Sequence, residues 1–243
     1  PFVPTTDLAD GCFRSDGNYP SLVAERLDVE TLVDVSCSGA ATRNLIRSQP
    51  TIPNAKVPPQ LESVPPDADL VTIGIGGNDF ELFSTLAQTC TRLRAVDPGG
   101  SPCADQLALQ GVDLVAQTEQ IGRRVERSVR RVQRRAPGAQ VLLVGYLRLV
   151  PDEGTCPRRL PFARGDYDEG ARVTEALNAE LEQAAERAGA GFVDAYALSE
   201  GHDICSERPW VNGVRTDRTR ALAYHPFAEG MEAVADAISG KLA

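Results

Sequence analysis

Three short stretches of the sequence carry residue types that could do chemistry. VTIGIGGNDF (71–80) runs from β-branched residues into three glycines and then Asn78, SCSGA (36–40) contains Gly39, and YHPFAEG (224–230) contains His225. Glycine weakens a strand interior but is useful where backbone must approach another group closely. An amide side chain is a neutral hydrogen-bond donor, and histidine is the usual general base because its pKa lies near neutral pH. The glycine stretch is therefore either a tight turn or the wall of a site, and His225 is either a helix-capping residue or a base.

Alternating strands and helices must position these residues. The pattern predicts strands over 31–36, 69–75, 140–147 and 189–198, and helices from Tyr19 and over 41–49, 80–93, 105–135, about 168–188 and 226–242. This alternation predicts one α/β domain over 1–243, a three-layer α/β/α sandwich with a central, mostly parallel sheet. Ligands of such sheets bind beyond the carboxyl ends of the strands. Gly39, Asn78 and His225 are all predicted at that edge.

Composition and charge limit the classes of partner. The 243 residues carry a net charge of −9, and nucleic-acid binders are usually basic, so we expect no nucleic-acid partner. No run of apolar residues reaches the roughly 18 that a membrane helix needs. The predicted helix over 105–135 has an apolar face and an opposite face rich in arginine. That arginine face is either a docking stripe for nucleic acid or membrane, or a solvated face favoured by the helix dipole, and we expect the solvated face.

The six cysteines form no CxxC pair, so we expect no zinc or other metal site. An even, dispersed set suits three disulfides and an oxidising compartment, whereas six reduced thiols would suit the cytosol; we expect secretion. Fifteen pairings of six cysteines exist. Sequential pairing, Cys12–Cys37, Cys90–Cys103 and Cys156–Cys205, is the simplest of them.

Gly39, Asn78 and His225 match, in order and context, three of the four sequence blocks of the SGNH (GDSL) hydrolase superfamily, and the chain resembles that family over essentially its whole length. The resemblance is closest to the secreted, three-disulfide esterases, lipases and phospholipases A1 of actinobacteria, and the cysteine positions fit their framework. It implies a flavodoxin-like fold in which His225 is the base, while the Gly39 N–H and the Asn78 side chain belong to an oxyanion hole. Asp79 would hold the Asn78 carboxamide.

The same resemblance implies cleavage of carboxylic esters, of small molecules or lipids, through an acyl-enzyme. No metal or organic cofactor is implied, and we expect transient contact with a lipid interface and a monomer.

Two departures from the family pattern bear on the mechanism. The nucleophile block G-D-S is absent, so the first strand and its serine are expected upstream of Pro1; Ser36 and Ser38 lie in the wrong block to replace it. The position three residues before the histidine, often an aspartate, is Leu222, and the nearest upstream acid is Asp217. We therefore expect a dyad in which the Leu222 carbonyl accepts from His225 Nδ1–H.

Other functions stay open at this point. The fold could serve an acyltransferase, or a non-catalytic binding module that has lost the nucleophile. A nucleotide-binding domain is excluded, because neither GxGxxG nor GxxxxGK[ST] is present. His202, beside Asp203, is expected to have a structural role near the predicted Cys156–Cys205 bond.

Overall fold

The computed structural model describes residues 11–51 and 55–242. Its sheet has three parallel strands in chain order, β1 (Leu70–Ile73), β2 (Gln140–Val144) and β3 (Gly191–Val193). Leu70 pairs with Gln140, and Leu142 pairs with Gly191. The central strand β2 is buried along most of its length, as expected for a strand covered on both faces. The α/β class and three of the four predicted strands are thus confirmed.

Two long helices pack against each other and contact the sheet. α3 (Leu114–Arg135) and α4 (Asp166–Ala188) are joined by a core in which Ile121, Val125, Leu177 and Leu181 are fully buried. α3 begins at Asp113, whose side chain accepts a hydrogen bond from Ala116 N at 2.9 Å and so caps the first turn. This helix pair is the scaffold that carries one side of the candidate site.

The remaining helices complete the domain. α1 (Tyr19–Arg26) packs against the last helix, α6 (Ala228–Leu242), which also contacts β3; α2 (Pro102–Leu109) and the short α5 (Ala195–Leu198) lie between longer elements. The helix predicted over 105–135 is two helices, because Gly111 adopts φ +68° after α2 and ends it. The helix predicted over 41–49 is a single 3₁₀ turn, Thr42–Leu45, followed by a two-residue antiparallel pairing of Gln49–Pro50 with Lys56–Val57.

The predicted strand over 31–36 is wrong. That segment is irregular, with Leu32 and Val33 45% and 46% exposed, and it pairs with no strand in the part of the chain that the structure describes. A β-branched run needs a hydrogen-bonded neighbour and a core face to become a strand. The segment is held instead by side chains: Asn18 Nδ2 donates to Asp34 Oδ2 at 2.7 Å.

The helix predicted over 80–93 is also not continuous. It is a 3₁₀ turn (Asp79–Glu81), an α-turn (Leu82–Ser84), a π-turn (Thr85–Cys90) and a final α-turn (Thr91–Leu93). Phe80 and Glu81 adopt left-handed φ values of 53° and 60°. Consecutive non-glycine residues in this region are strained, and such strain persists only where surrounding contacts hold it.

The structure contains the three sequentially paired disulfides, Cys12–Cys37, Cys90–Cys103 and Cys156–Cys205. No helix among the described residues is long and apolar enough to cross a membrane. Those residues also form no group of three histidines, cysteines or carboxylates that could hold a metal ion.

Candidate active site

Gly39 lies in a tight turn that only a few residue types could adopt. Its φ is +74°, the turn is closed by Ala40 N donating to Cys37 O at 3.1 Å, and the preceding Ser38 N donates to Cys12 O at 2.9 Å. Gln49 Nε2 donates to the Ser38 carbonyl at 2.8 Å. The Gly39 N–H itself has no acceptor among the described residues. The turn therefore presents an unused backbone donor.

The glycines after β1 are required by packing. A Cβ on Gly76, whose φ is +123°, would lie 3.0 Å from Ile121 Cγ2, and one on Gly77 would overlap the Phe83 ring. The Gly77 N–H donates to the Tyr146 hydroxyl at 2.9 Å, and Tyr146 packs edge-on against Phe83. Burial raises the pKa of Tyr146 to about 12, so the hydroxyl is neutral at neutral pH. These glycines therefore fit the turn against the core, and side chains occupy the space they leave.

Asn78 connects the two turns. Its Nδ2 donates to the Ala40 carbonyl at 3.0 Å, which fixes the carboxamide and uses one of its two N–H groups. The second N–H has no partner among the described residues. The segments 37–42 and 76–79, called the donor loops from here on, thus lie in contact and each offers one free N–H.

Asp79 connects the two donor loops through buried hydrogen bonds. It is 1% exposed, and it accepts from Thr42 N at 2.8 Å, from Thr42 Oγ1 at 2.6 Å and from Arg124 Nη1 at 3.0 Å. The expectation that Asp79 holds the Asn78 carboxamide is therefore wrong. The Ala40 carbonyl does so, because the carboxylate points under the turn and is already saturated by Thr42 and Arg124.

Arg124 is a part of this arrangement that sequence reasoning placed only on the arginine face of a helix. Its guanidinium binds Asp79 and lies 3.9 Å from the centroid of the Phe80 ring. A guanidinium over an aromatic face is attracted electrostatically, and the pairing with a buried carboxylate adds a charge-assisted hydrogen bond. Both contacts hold Phe80 in its strained conformation directly after Asn78 and Asp79. Neither Thr42 nor Arg124 has a sequence signal of its own.

His225 is held by its own loop. Its Nδ1 lies 2.8 Å from the Ala223 carbonyl, and since a carbonyl can only accept, Nδ1 carries the proton and Nε2 is the free, basic nitrogen. The Leu222 carbonyl accepts instead from the His225 backbone N–H at 3.1 Å and from Asn212 Nδ2 at 3.1 Å. The prediction named the wrong carbonyl, because Tyr224 adopts φ +60° and turns the ring toward its nearer neighbour.

Asp217 does not orient the histidine. Its carboxylate accepts from Thr219 N and from Thr219 Oγ1, and these hydrogen bonds lower its pKa. Asn212, rather than the Asp217 carboxylate, is hydrogen-bonded to the segment that carries His225. Its backbone N–H donates to His225 O at 2.9 Å, and its Nδ2 donates to Ala221 O at 2.8 Å. Residues 211–226 are called the histidine loop below.

Desolvation lowers the pKa of His225 to about 4, so the imidazole is neutral and able to accept a proton at neutral pH.

Within the described residues, no hydrogen bond joins His225 to the donor loops or to Ser36 or Ser38. Ser36 N instead binds Asp34, and the Ser38 carbonyl binds Gln49. His202 stacks on Trp210 with ring centroids 4.0 Å apart, and its Nδ1 lies 2.7 Å from the Arg208 carbonyl. Its neighbour Asp203 accepts from Cys205 N, so these two residues are not a His–Asp pair.

Known proteins resemble this chain in sequence and in fold. Residues 5–233 match the model of the GDSL-like Lipase/Acylhydrolase family. The chain is 32% identical to "Lipase 2" of Streptomyces coelicolor over 93% of this chain and 75% of that protein, and 30% identical to "Esterase" of Streptomyces scabiei over 80% and 64%.

Two solved structures share the fold over nearly the full chain. Phospholipase A1 from Streptomyces albidoflavus has a TM-score of 0.77 at 25% identity, covering 98% of this chain and 92% of that one. The extracellular lipase from Streptomyces rimosus has a TM-score of 0.74 at 28% identity, covering 98% and 93%. The chain therefore belongs to the GDSL-like lipase/acylhydrolase (SGNH) family of ester hydrolases.

Proposed function

We propose that this chain is the main part of a secreted serine ester hydrolase that cleaves carboxylic esters of acyl chains through an acyl-enzyme. The observation that carries the proposal is the pair of free N–H groups, one on Gly39 and one on Asn78, in loops that Asp79 and Ala40 hold in contact. Ester cleavage builds negative charge on the carbonyl oxygen, and preorganised donors around that oxygen supply several kcal/mol.

In the proposed cycle the nucleophile is a serine that precedes Pro1. Nε2 of His225 takes the serine hydroxyl proton as Oγ bonds to the ester carbon, and the oxyanion accepts from Gly39 N–H and Asn78 Nδ2–H. His225 then gives the proton to the leaving alcohol oxygen as the C–O bond breaks. In the second half His225 takes a proton from water as the water oxygen bonds to the acyl carbon, and it gives that proton to serine Oγ as the acyl–Oγ bond breaks and the acid is released.

The proposed role of His225 is that of a dyad base. The Ala223 carbonyl fixes the tautomer that an aspartate fixes in a triad, and it leaves Nε2 free for the serine proton. Because the partner is a neutral carbonyl, the imidazolium formed during turnover gains less stabilisation than it would from a carboxylate.

Secretion is supported by the three disulfides and by a structural relative that is an extracellular lipase. The relatives named lipase, esterase and phospholipase A1 support an ester of a small molecule or a lipid as substrate. We propose that the protein acts as a monomer without a cofactor.

The test is to sequence the natural protein upstream of Pro1 and to label that longer protein with a fluorophosphonate. We expect one labelled serine, located before Pro1, and loss of labelling in the His225→Ala variant. His202→Ala is the matched control, because that histidine stacks on Trp210 and should leave labelling unchanged.

Labelling of Ser36 or Ser38, or normal turnover by a protein whose intact mass equals residues 1–243, would contradict the proposal. An upstream segment with no serine would favour a non-catalytic binding module. Transfer of the acyl group to an added alcohol in preference to water would identify an acyltransferase.

A further inference from the structure

One surface of the protein is strongly basic although the chain as a whole carries a charge of −9. Helix α3 contains seven arginines and two glutamates. Three of these arginines, Arg127, Arg131 and Arg134, follow one another at spacings of four and three residues, so they lie on one side of the helix. None of the three forms an ion pair in the part of the chain that the structure describes.

The two glutamates of α3 do not neutralise this side. Glu119 pairs with Arg123. Glu126 accepts from Arg187 Nε and Arg130 Nε, both at 3.0 Å, and the hydrogen bond from Arg187 is the main reason that its pKa is lowered. Glu126 therefore serves the edge of α3 that faces α4, and Glu119 is paired within α3.

A second group of charges lies on an element that contacts α3. The 3₁₀ turn Thr42–Leu45 packs against α3. Hydrogen bonds from Thr42 and from Arg124 of α3 to Asp79 connect the turn to the helix. Arg43 and Arg47, in and after this turn, are exposed and also lack an ion pair among the described residues. Between them lies Ile46, 44% exposed. Arg43, Arg47, Arg127, Arg131, Arg134 and Ile46 are called the basic face.

The basic face borders the candidate active site. The turn that carries Arg43 follows directly on the Gly39 loop, and the helix that carries Arg127 supplies Arg124 to Asp79. Glu62, on the 3₁₀ turn Gln60–Ser63 that packs against α3, is an exposed carboxylate on a neighbouring element. Any flat anionic surface that contacts the basic face thus lies next to the donor loops.

We infer that the basic face docks the protein on an anionic phospholipid surface. Arginines near such a surface are attracted to the headgroups, and an exposed isoleucine among them can enter the headgroup boundary. The choice of lipid as the anionic partner rests on the proposed function, in which lipid esters are substrates. The inference goes beyond the expectation of a merely solvated face, and it rests on the spacing of the unpaired arginines on α3, the two arginines of a neighbouring element and the exposed Ile46.

The test is binding of the full chain to vesicles by sedimentation, which needs no turnover. Phosphatidylcholine vesicles with phosphatidylglycerol should bind the chain, vesicles of phosphatidylcholine alone should bind it weakly, and added salt should weaken the binding to anionic vesicles. The triple variant Arg127→Gln, Arg131→Gln, Arg134→Gln should lower the partition coefficient on the order of 100-fold.

The matched control is Arg92→Gln, Arg208→Gln, Arg218→Gln, which removes the same charge from exposed positions outside the basic face. The control should keep most of the binding, and far-UV circular dichroism should show that both variants are folded. Equal loss in both triple variants, or equal binding to both kinds of vesicle, overturns the inference. Binding to a DNA duplex without binding to anionic vesicles also overturns it. Vesicle binding by this chain, with no fluorophosphonate labelling of the longer protein, would leave the docking face intact and refute only the hydrolase.

Discussion

The donor loops are held by distant parts of the chain, whereas the histidine loop is held by its own neighbours. Asp79 receives hydrogen bonds from Thr42, 37 positions away, and from Arg124, 45 positions away. His225 is fixed by Ala223, two positions away, and by Asn212 within the same loop. The geometry of the proposed oxyanion donors therefore depends on how α3 packs, while the orientation of the proposed base depends on a local backbone turn.

This difference predicts where substitutions act at a distance. A change in the network under the donor loops should alter catalysis without touching the substrate. A change at the histidine should alter the response to pH. The activity measurements below refer to the longer protein that contains the proposed serine.

The largest effect is expected for Asp79→Asn. The amide would place an N–H₂ group against the Thr42 N–H or the Arg124 guanidinium, so at least one buried donor loses its acceptor and Arg124 loses its countercharge. We expect kcat to fall on the order of 100-fold, with a smaller change in KM, and the free energy of unfolding to fall by about 3 kcal/mol.

Asp166→Asn is the matched control for Asp79→Asn. Asp166 is also buried, and it accepts from two backbone N–H groups, those of Cys103 and Ala104, but it caps α2 away from the donor loops. It should lower stability and leave kcat near the wild-type value. If both variants lose kcat equally, Asp79 is only a folding residue.

The second effect concerns pH and tests the histidine loop. The pKa of His225 is lowered to about 4 in the folded protein, below the ordinary value of 6.5. The unfolded chain therefore binds a proton that the folded chain does not, and stability falls as the pH drops from about 6.5 to 4. Allowing for partial exposure, this contribution is about 2 kcal/mol.

Chemical denaturation across this pH range should show that the free energy of unfolding of wild type falls more steeply than that of His225→Gln, which lacks the titrating group. His202→Gln serves as the control and should keep the wild-type slope. Parallel stability curves for wild type and His225→Gln would show that the imidazole titrates normally.

The third prediction tests whether the charge of Arg124 matters or only the space that its side chain fills. Arg124→Met removes the hydrogen bond to Asp79 and the cation over Phe80, and we expect about a tenfold fall in kcat. Arg124→Lys keeps the charge and should recover part of the loss, which a purely space-filling role would not allow. Arg130→Met, on the same helix but paired with Glu126, should leave kcat unchanged.

The smallest effect is expected for Tyr146→Phe. The change removes the acceptor of the Gly77 N–H and keeps the ring that packs on Phe83, so stability should fall by about 1 kcal/mol and kcat by less than for Arg124→Met. Tyr167→Phe removes a comparable hydroxyl, which accepts from Cys156 N away from the donor loops, and serves as the control. A larger kcat loss for Tyr146→Phe than for Asp79→Asn would reverse the order in which these contacts matter.

Local sequence signals were sufficient for the regular core. The strands over 69–75 and 140–147 and the helix at about 168–188 were predicted from apolar patterning and turn residues, because these elements bury their apolar face in the fold. The blocks around Gly39, Asn78 and His225 were visible as short motifs. The sequential disulfides followed from the simplest pairing.

The wrong predictions have one physical cause: the residue pattern of a segment does not show which other segments will pack against it. TLVDVS (31–36) has the composition of a strand but pairs with none in the described structure, and residues 80–93 have helical composition but bend around Phe80 and Glu81. The contacts of Asp79 with Thr42 and Arg124 join three separate segments. Only the packed structure brings such residues together.

The Cys12–Cys37 disulfide has a consequence for when the protein becomes active. Cys37 lies two positions before Gly39, and Cys12 supplies the carbonyl that accepts from Ser38 N. The position of one proposed oxyanion donor thus depends on a bond that forms under oxidising conditions. On the proposed function, the newly made chain would have no fixed Gly39 donor while its thiols are reduced. Export would then complete the active site, and the membrane lipids of the producing cell would be spared until the protein has left it.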